Sequence, residues 1–135
     1  MILTPVIFHW YTGRKILDNN GEDMKNQITQ EKIRKVAEKI AREFDPEKII
    51  LFGSFVWGDP RFDSDVDLLV IKKTNDSRRE SRNMRGSVFP SEFPLDIIVY
   101  DPDRLEKTLQ TGDTFLRDIL VHGKVLYERS NTSRI

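Results

Sequence analysis

Asp65 and Asp67 stand two residues apart at the mouth of an apolar run, Val66 and then Leu68-Leu69-Val70-Ile71. A β-strand turns successive side chains to opposite faces, so the two carboxylates share a face. Carboxylates side by side repel, and a fold that presents such a pair offsets the repulsion with a cation or with an Arg or Lys partner. Ligands that are all oxygen favour Mg²⁺ or Mn²⁺ over zinc. A third carboxylate, Asp96, is the only charge in Leu95-Asp96-Ile97-Ile98-Val99-Tyr100, predicted as a strand buried on both faces or nearly so. A charge in such a place needs a partner. Gly53-Ser54 follows another apolar segment and precedes a predicted short helical turn. A bend of that kind offers backbone N–H groups, a hydroxyl and a helix N-terminus to a phosphate, and Gly53 lets the backbone approach closely.

Gly53-Ser54, ten intervening residues, the pair Asp65 and Asp67, and later the lone Asp96 in an apolar strand form a four-part pattern. It resembles the DNA polymerase β-type nucleotidyltransferases, and within them the minimal nucleotidyltransferases, the MNT proteins usually paired with a HEPN-domain toxin. The resemblance spans roughly residues 29 to 127. It implies an α+β two-layer fold, a small mixed β-sheet with helices packed mainly on one face. It also implies that Gly53 and Ser54 hold the triphosphate of ATP, that Asp65 and Asp67 bind two Mg²⁺ ions, and that Asp96 completes the metal site and acts as base. The reaction so implied is transfer of AMP to a hydroxyl, foremost a tyrosine of a HEPN ribonuclease toxin, which makes the chain its antitoxin. One departure stands out: many members carry basic residues after Gly-Ser, where this chain has Phe55, Val56 and Trp57. Triphosphate contacts must then come from elsewhere. Two alternatives stay open, a non-catalytic antitoxin that neutralises by binding, and nucleotidyl transfer to RNA or a small molecule.

The elements that must position these residues are legible around them. Ile33, Val36, Ala37, Ile40, Ala41 and Phe44 recur at helical spacing, with Thr29 as N-cap and Asp45-Pro46 as terminator. Lys48 to Phe52 reads as the strand that delivers Gly53-Ser54, and Gly58-Asp59-Pro60 forces a loop back to Asp65, with Asp63 and Ser64 shaping its last turn. Val66 to Ile71 reads as a central strand. The segment from Lys72 to Ser87 is the most basic, and as a helix it aligns Arg78, Arg82 and Arg85 on one side, either as a solvated face or as a contact for phosphate or a partner. Asp101-Pro102 opens a helix to about Leu109, and Asp113 caps a last helix with the stripe Phe115, Leu116, Ile119 and Leu120, stopped at Gly123. Lys124 to Tyr127 reads as a closing strand. Trp57, Phe62 and His122 are expected to be structural.

At 135 residues the chain is one domain, too small for an added substrate domain, so its acceptor is expected to be brought by another molecule. The expected boundaries are a leader over 1–23, disordered or preceding the true start, a catalytic domain over 24–128 and a frayed tail over 129–135. Net charge is zero, which argues against nucleic acid as the principal partner. Cysteine is absent, which excludes disulfides and fits a reducing cytoplasm. No run is long enough to span a membrane.

Overall fold

The computed structural model describes residues 28–58 and 64–130, together with the backbone of Val6–Ile7. Most of the expected leader, the loop over 59–63 with Phe62, and the tail over 131–135 lie outside the described residues. Helix α1 spans Gln30–Phe44, and the Thr29 side chain accepts a hydrogen bond from the Lys32 amide as its N-cap. Its C-cap, Asp45, adopts a left-handed conformation ahead of Pro46. Strand β2 (Lys48–Phe52) leads into the one-turn helix α2 (Ser54–Trp57), and β3 (Val66–Ile71) returns antiparallel to it. Helix α3 (Ser77–Ser87) is the crossover that lets β4 (Leu95–Tyr100) lie parallel to β3, a connection that a tight hairpin could not make. Helices α4 (Pro102–Gln110) and α5 (Thr114–His122) follow, capped by the Asp101 and Asp113 side chains, and β5 (Lys124–Arg129) ends the fold. With the two-residue strand β1 (Val6–Ile7), the sheet order is β1-β5-β2-β3-β4.

The mixed sheet of the nucleotidyltransferase fold is as the resemblance implied, but its covering is wider than expected. Alternation sends Ile49, Leu51, Val66, Leu68, Val70, Ile97 and Val99 to one face, where they pack with Ile33, Ala37 and Ile40 of α1 and Met84 of α3. It sends Ile50, Phe52, Leu69 and Ile71 to the other, where Leu116 and Ile119 of α5 and the half-buried Leu105 and Leu109 of α4 close over them. Helices therefore cover both faces, because the central strands β2 and β3 are apolar on both. Each fully buried aliphatic side chain contributes about 1.5–3 kcal/mol.

Two further expectations are corrected. β4 is not buried on both faces: it is an outer strand, Asp96 is exposed, and Leu95, Ile98 and Tyr100 are only half-buried. The closing strand runs two residues past Tyr127, because Glu128 and Arg129 pair with Ile7 and Val6. Gly123 ends α5 with ordinary backbone angles. Its lack of a side chain serves close packing, since a Cβ there would stand 2.4 Å from the Ile119 carbonyl oxygen and 2.6 Å from Ile50. No described helix is long and apolar enough to cross a membrane.

Candidate active site

Antiparallel pairing sets Phe52, the last residue of β2, beside Asp67 in β3. Parallel pairing sets Asp96 of β4 on the other side of Asp67. The row at this end of the sheet therefore reads Phe52, Asp67, Asp96. The two aspartates share the face of Leu69, Ile71, Ile98 and Tyr100. Neighbouring strands are about 4.8 Å apart, so the two carboxylates are within strong electrostatic reach. Asp65 lies one residue before β3 and is exposed. Burial raises the Asp67 carboxyl above its ordinary range, and the negative charges of Asp96 and then Asp65 push it further the same way.

Gly53 joins this group by a contact that only glycine permits. Its φ is +83°, and a Cβ added to it would lie 2.2 Å from Oδ2 of Asp67. The Asp67 carboxylate thus rests on the bare α-carbon of the Gly-Ser bend. Ser54 opens α2, and the amides of Val56 and Trp57 both donate to the Gly53 carbonyl, at 3.0 and 3.1 Å. The turn carries no basic residue, as its sequence requires.

All five site residues read from the sequence, Gly53, Ser54, Asp65, Asp67 and Asp96, thus fall at one end of the sheet, with Asp67 in the middle. Among the described residues, no three acidic, histidine or cysteine side chains are drawn round a point as cation ligands. The aspartates are near one another without being clasped. Trp57 was expected to be a packing residue and is 51 % exposed. Its ring stands 6.3 Å from Phe52, whose other side meets Phe115 edge-on at 5.8 Å. Phe115 was counted in the apolar stripe of α5 and is 54 % exposed, whereas Leu116 and Ile119 are buried. An aromatic shelf therefore flanks the aspartates, and no sequence signal joined Phe52, Trp57 and Phe115, because they come from three separate elements.

The Polymerase beta, Nucleotidyltransferase family matches residues 31–132, more than half of the chain and every residue of this site. The chain belongs to that family. This nucleotidyltransferase is 35% identical over 116 residues to the Methanocaldococcus jannaschii protein named "Putative protein adenylyltransferase MJ1305", a match that covers 82% of this chain and 76% of the relative. Its fold is similar to that of a chain in a crystal structure of a toxin-antitoxin with AMP-PNP, with a TM-score of 0.51 and 20% identity over 72% of this chain and 74% of the other. That second likeness speaks for the fold alone.

Proposed function

We propose that this nucleotidyltransferase transfers AMP from ATP to a hydroxyl of a partner protein, in the cytoplasm and with Mg²⁺, and thereby acts as an antitoxin. The observation that carries the reading is the placing of Asp67 between Asp96, its register partner on β4, and the α-carbon of Gly53. The protein acceptor is supported by the name of the Methanocaldococcus jannaschii relative. The toxin-antitoxin setting and the adenine nucleotide are supported by the solved structure of similar fold. A tyrosine of a HEPN ribonuclease toxin is the acceptor that the resemblance to the minimal nucleotidyltransferases points to.

The donor chemistry fits Mg²⁺. The aspartates offer oxygen only, and the raised carboxyl of Asp67 marks a cluster short of positive charge. Asp65 and Asp67 would hold two ions, with Asp96 completing the set. Mg²⁺ bound there would neutralise phosphate charge and lower the pKa of an attacking hydroxyl. The Gly53–Ser54 bend, through backbone amides and the Ser54 hydroxyl, holds the β- and γ-phosphates. Asp96, exposed on the outer strand, is within reach of a hydroxyl on a large acceptor and accepts its proton. The hydroxyl oxygen then bonds to the α-phosphorus as the bond to pyrophosphate breaks, and alignment of the two supplies much of the acceleration.

The test is the intact mass of the partner toxin after incubation with the protein, ATP and Mg²⁺. A gain of one or more AMP units is expected, abolished by EDTA and by Asp67→Asn. Full transfer by Asp67→Asn overturns the site assignment. An unmodified toxin held in a tight complex replaces the enzymatic reading with neutralisation by binding.

A further inference from the structure

The stripe Arg78, Arg82 and Arg85 does not face open solvent on all sides. It lines a groove of about 360 Å³ between α3 and the outer edge of β4, with Ser81 and the Ile97–Val99 segment as the remaining wall. The groove runs on into a second, of about 600 Å³, that shares Arg78, Ile98 and Val99 and adds Arg104. Several basic side chains elsewhere are matched, Lys72 with Glu80 at 3.0 Å, Lys48 with Glu128 at 3.1 Å, and Arg34 with both Glu31 and Glu38. Scattered ones such as Lys35, Arg42 and Arg117 are not, among the described residues; what sets Arg78, Arg82 and Arg85 apart is that they line one groove together. Arg78, Arg82 and Arg85 form no ion pair among the described residues. The two acids that line the continuing groove are already engaged. Asp76 caps α3 through the Arg79 amide, and Asp101 accepts from the amides of Thr74 and Asp103, bonds that hold its carboxyl below the ordinary range.

We propose that this groove docks an acidic, extended segment of the acceptor protein, its carboxylates on Arg78, Arg82 and Arg85 and its main chain along the β4 edge. The proposal rests on the protein-acceptor reading above. The main chain of β4 supports an extended occupant. The Tyr100 carbonyl accepts from the Lys72 amide, so Asp96, Ile98 and Tyr100 turn their peptide groups to β3, and Ile97 and Val99 turn theirs to the open edge. Ser81 already donates to the Ile97 carbonyl, at 2.7 Å, which leaves Val99 to meet a guest strand. Spacing agrees as well. The four-residue step from Arg78 to Arg82 is about 6 Å, close to the ~6.8 Å between alternate side chains of an extended peptide, and the three-residue step to Arg85, about 4.5 Å, is shorter by a distance that long arginine side chains span. Arginine forks suit carboxylates. Single-stranded RNA is the weaker fit, because the groove of the three arginines holds no aromatic ring for a base to stack on and its continuation holds Tyr100 beside the carboxylates of Asp76 and Asp101, which repel phosphate. Ile97, in the wall, follows Asp96 directly but turns its side chain to the opposite face, so a segment along the β4 edge passes the end of the strand that carries the proposed base.

The test uses the full chain, fluorescence anisotropy and three labelled probes: a peptide of alternating glutamate and serine, its lysine counterpart, and oligouridine of matched charge. Tight binding of the glutamate peptide alone is expected. The combined variant Arg78→Glu, Arg82→Glu, Arg85→Glu weakens it by about tenfold or more, whereas Arg79→Glu, the same charge change on the same helix outside the groove, leaves it within about twofold. Arg82→Lys, which keeps charge and loses the fork, falls between. All three arginines are exposed, and unchanged thermal unfolding shows that the variant folds. No binding by wild type, equal loss in Arg79→Glu, or preference for oligouridine overturns the proposal. Binding does not depend on catalysis, so the two readings fail separately. If wild type transfers no AMP to the toxin yet binds the glutamate peptide through these arginines, the groove stands and the acceptor reading falls. If the triple variant modifies the toxin at the wild-type rate, the groove falls and the acceptor reading stands.

Discussion

Asp67 is held where a carboxylate is least at ease, partly buried, with Asp96 abreast, Asp65 two residues away and the α-carbon of Gly53 against its oxygen. Gly53→Ala therefore introduces two faults, an alanine at φ +83° and ψ −153°, where essentially only glycine is found, and an overlap with Asp67. The strain alone costs about 1–3 kcal/mol, and displacement of the carboxylate lowers AMP transfer by about 100-fold; urea unfolding and the transfer rate measure the two parts. A second outcome follows from the raised Asp67 carboxyl. Folding favours its protonated form, so above the unfolded value, near 3.8, the ionised group subtracts from stability, and the loss fades as pH falls through the raised folded range. Asp67→Asn removes that penalty while removing a proposed ligand. In EDTA at neutral pH the variant should melt higher than wild type, with the gap closing toward acid pH. A lower Tm for the variant at neutral pH contradicts the strained-carboxylate account. The chemical types at this site were legible from spacing, but the reason for glycine was not: the sequence suggests room for a phosphate, and the contact in the fold is with Asp67.

At the scale of elements, local chemistry was mostly readable. Thr29, Asp101 and Asp113 were each expected as caps, and each accepts a backbone N–H two or three residues on. Such signals lie within one turn and need no tertiary information. Asp113→Ala should cost about 1 kcal/mol in urea unfolding while leaving AMP transfer within about twofold, since the cap holds α5 and touches no aspartate. A large fall in transfer at unchanged stability would place α5 closer to the chemistry than its role as cover implies. The strand β4 was misread because an apolar run looks the same whether it is covered on one face or two. Its outer place in the sheet exposes Asp96 and opens the groove against α3, and both consequences favour a large acceptor over a small one. Phe115 was misassigned for a related reason: helical spacing marks a stripe without showing where the stripe overruns the sheet.

For the molecule as a whole, the sheet separates two cores that bear on the site differently. Leu68 faces α1 and α3, and Leu69 faces α5 on the side of the aspartates; both are fully buried. Alanine at either should cost about 2–5 kcal/mol. At temperatures where both variants remain folded, Leu69→Ala should lose more transfer activity than Leu68→Ala, because its cavity opens beneath Asp67 and Phe52; equal activities would show that the two faces are uncoupled from the site. The sequence by itself determined the periodic elements, their caps, and the inventory of three aspartates with a glycine-serine bend, because these are encoded over two to four residues of chain. Only the tertiary structure decided that Asp67 and Asp96 stand abreast, that Gly53 makes room for a carboxylate, and that three arginines border an open strand edge. Strand register across a helical crossover, and burial on one face or two, are set by packing between residues far apart in sequence, and no local pattern records them.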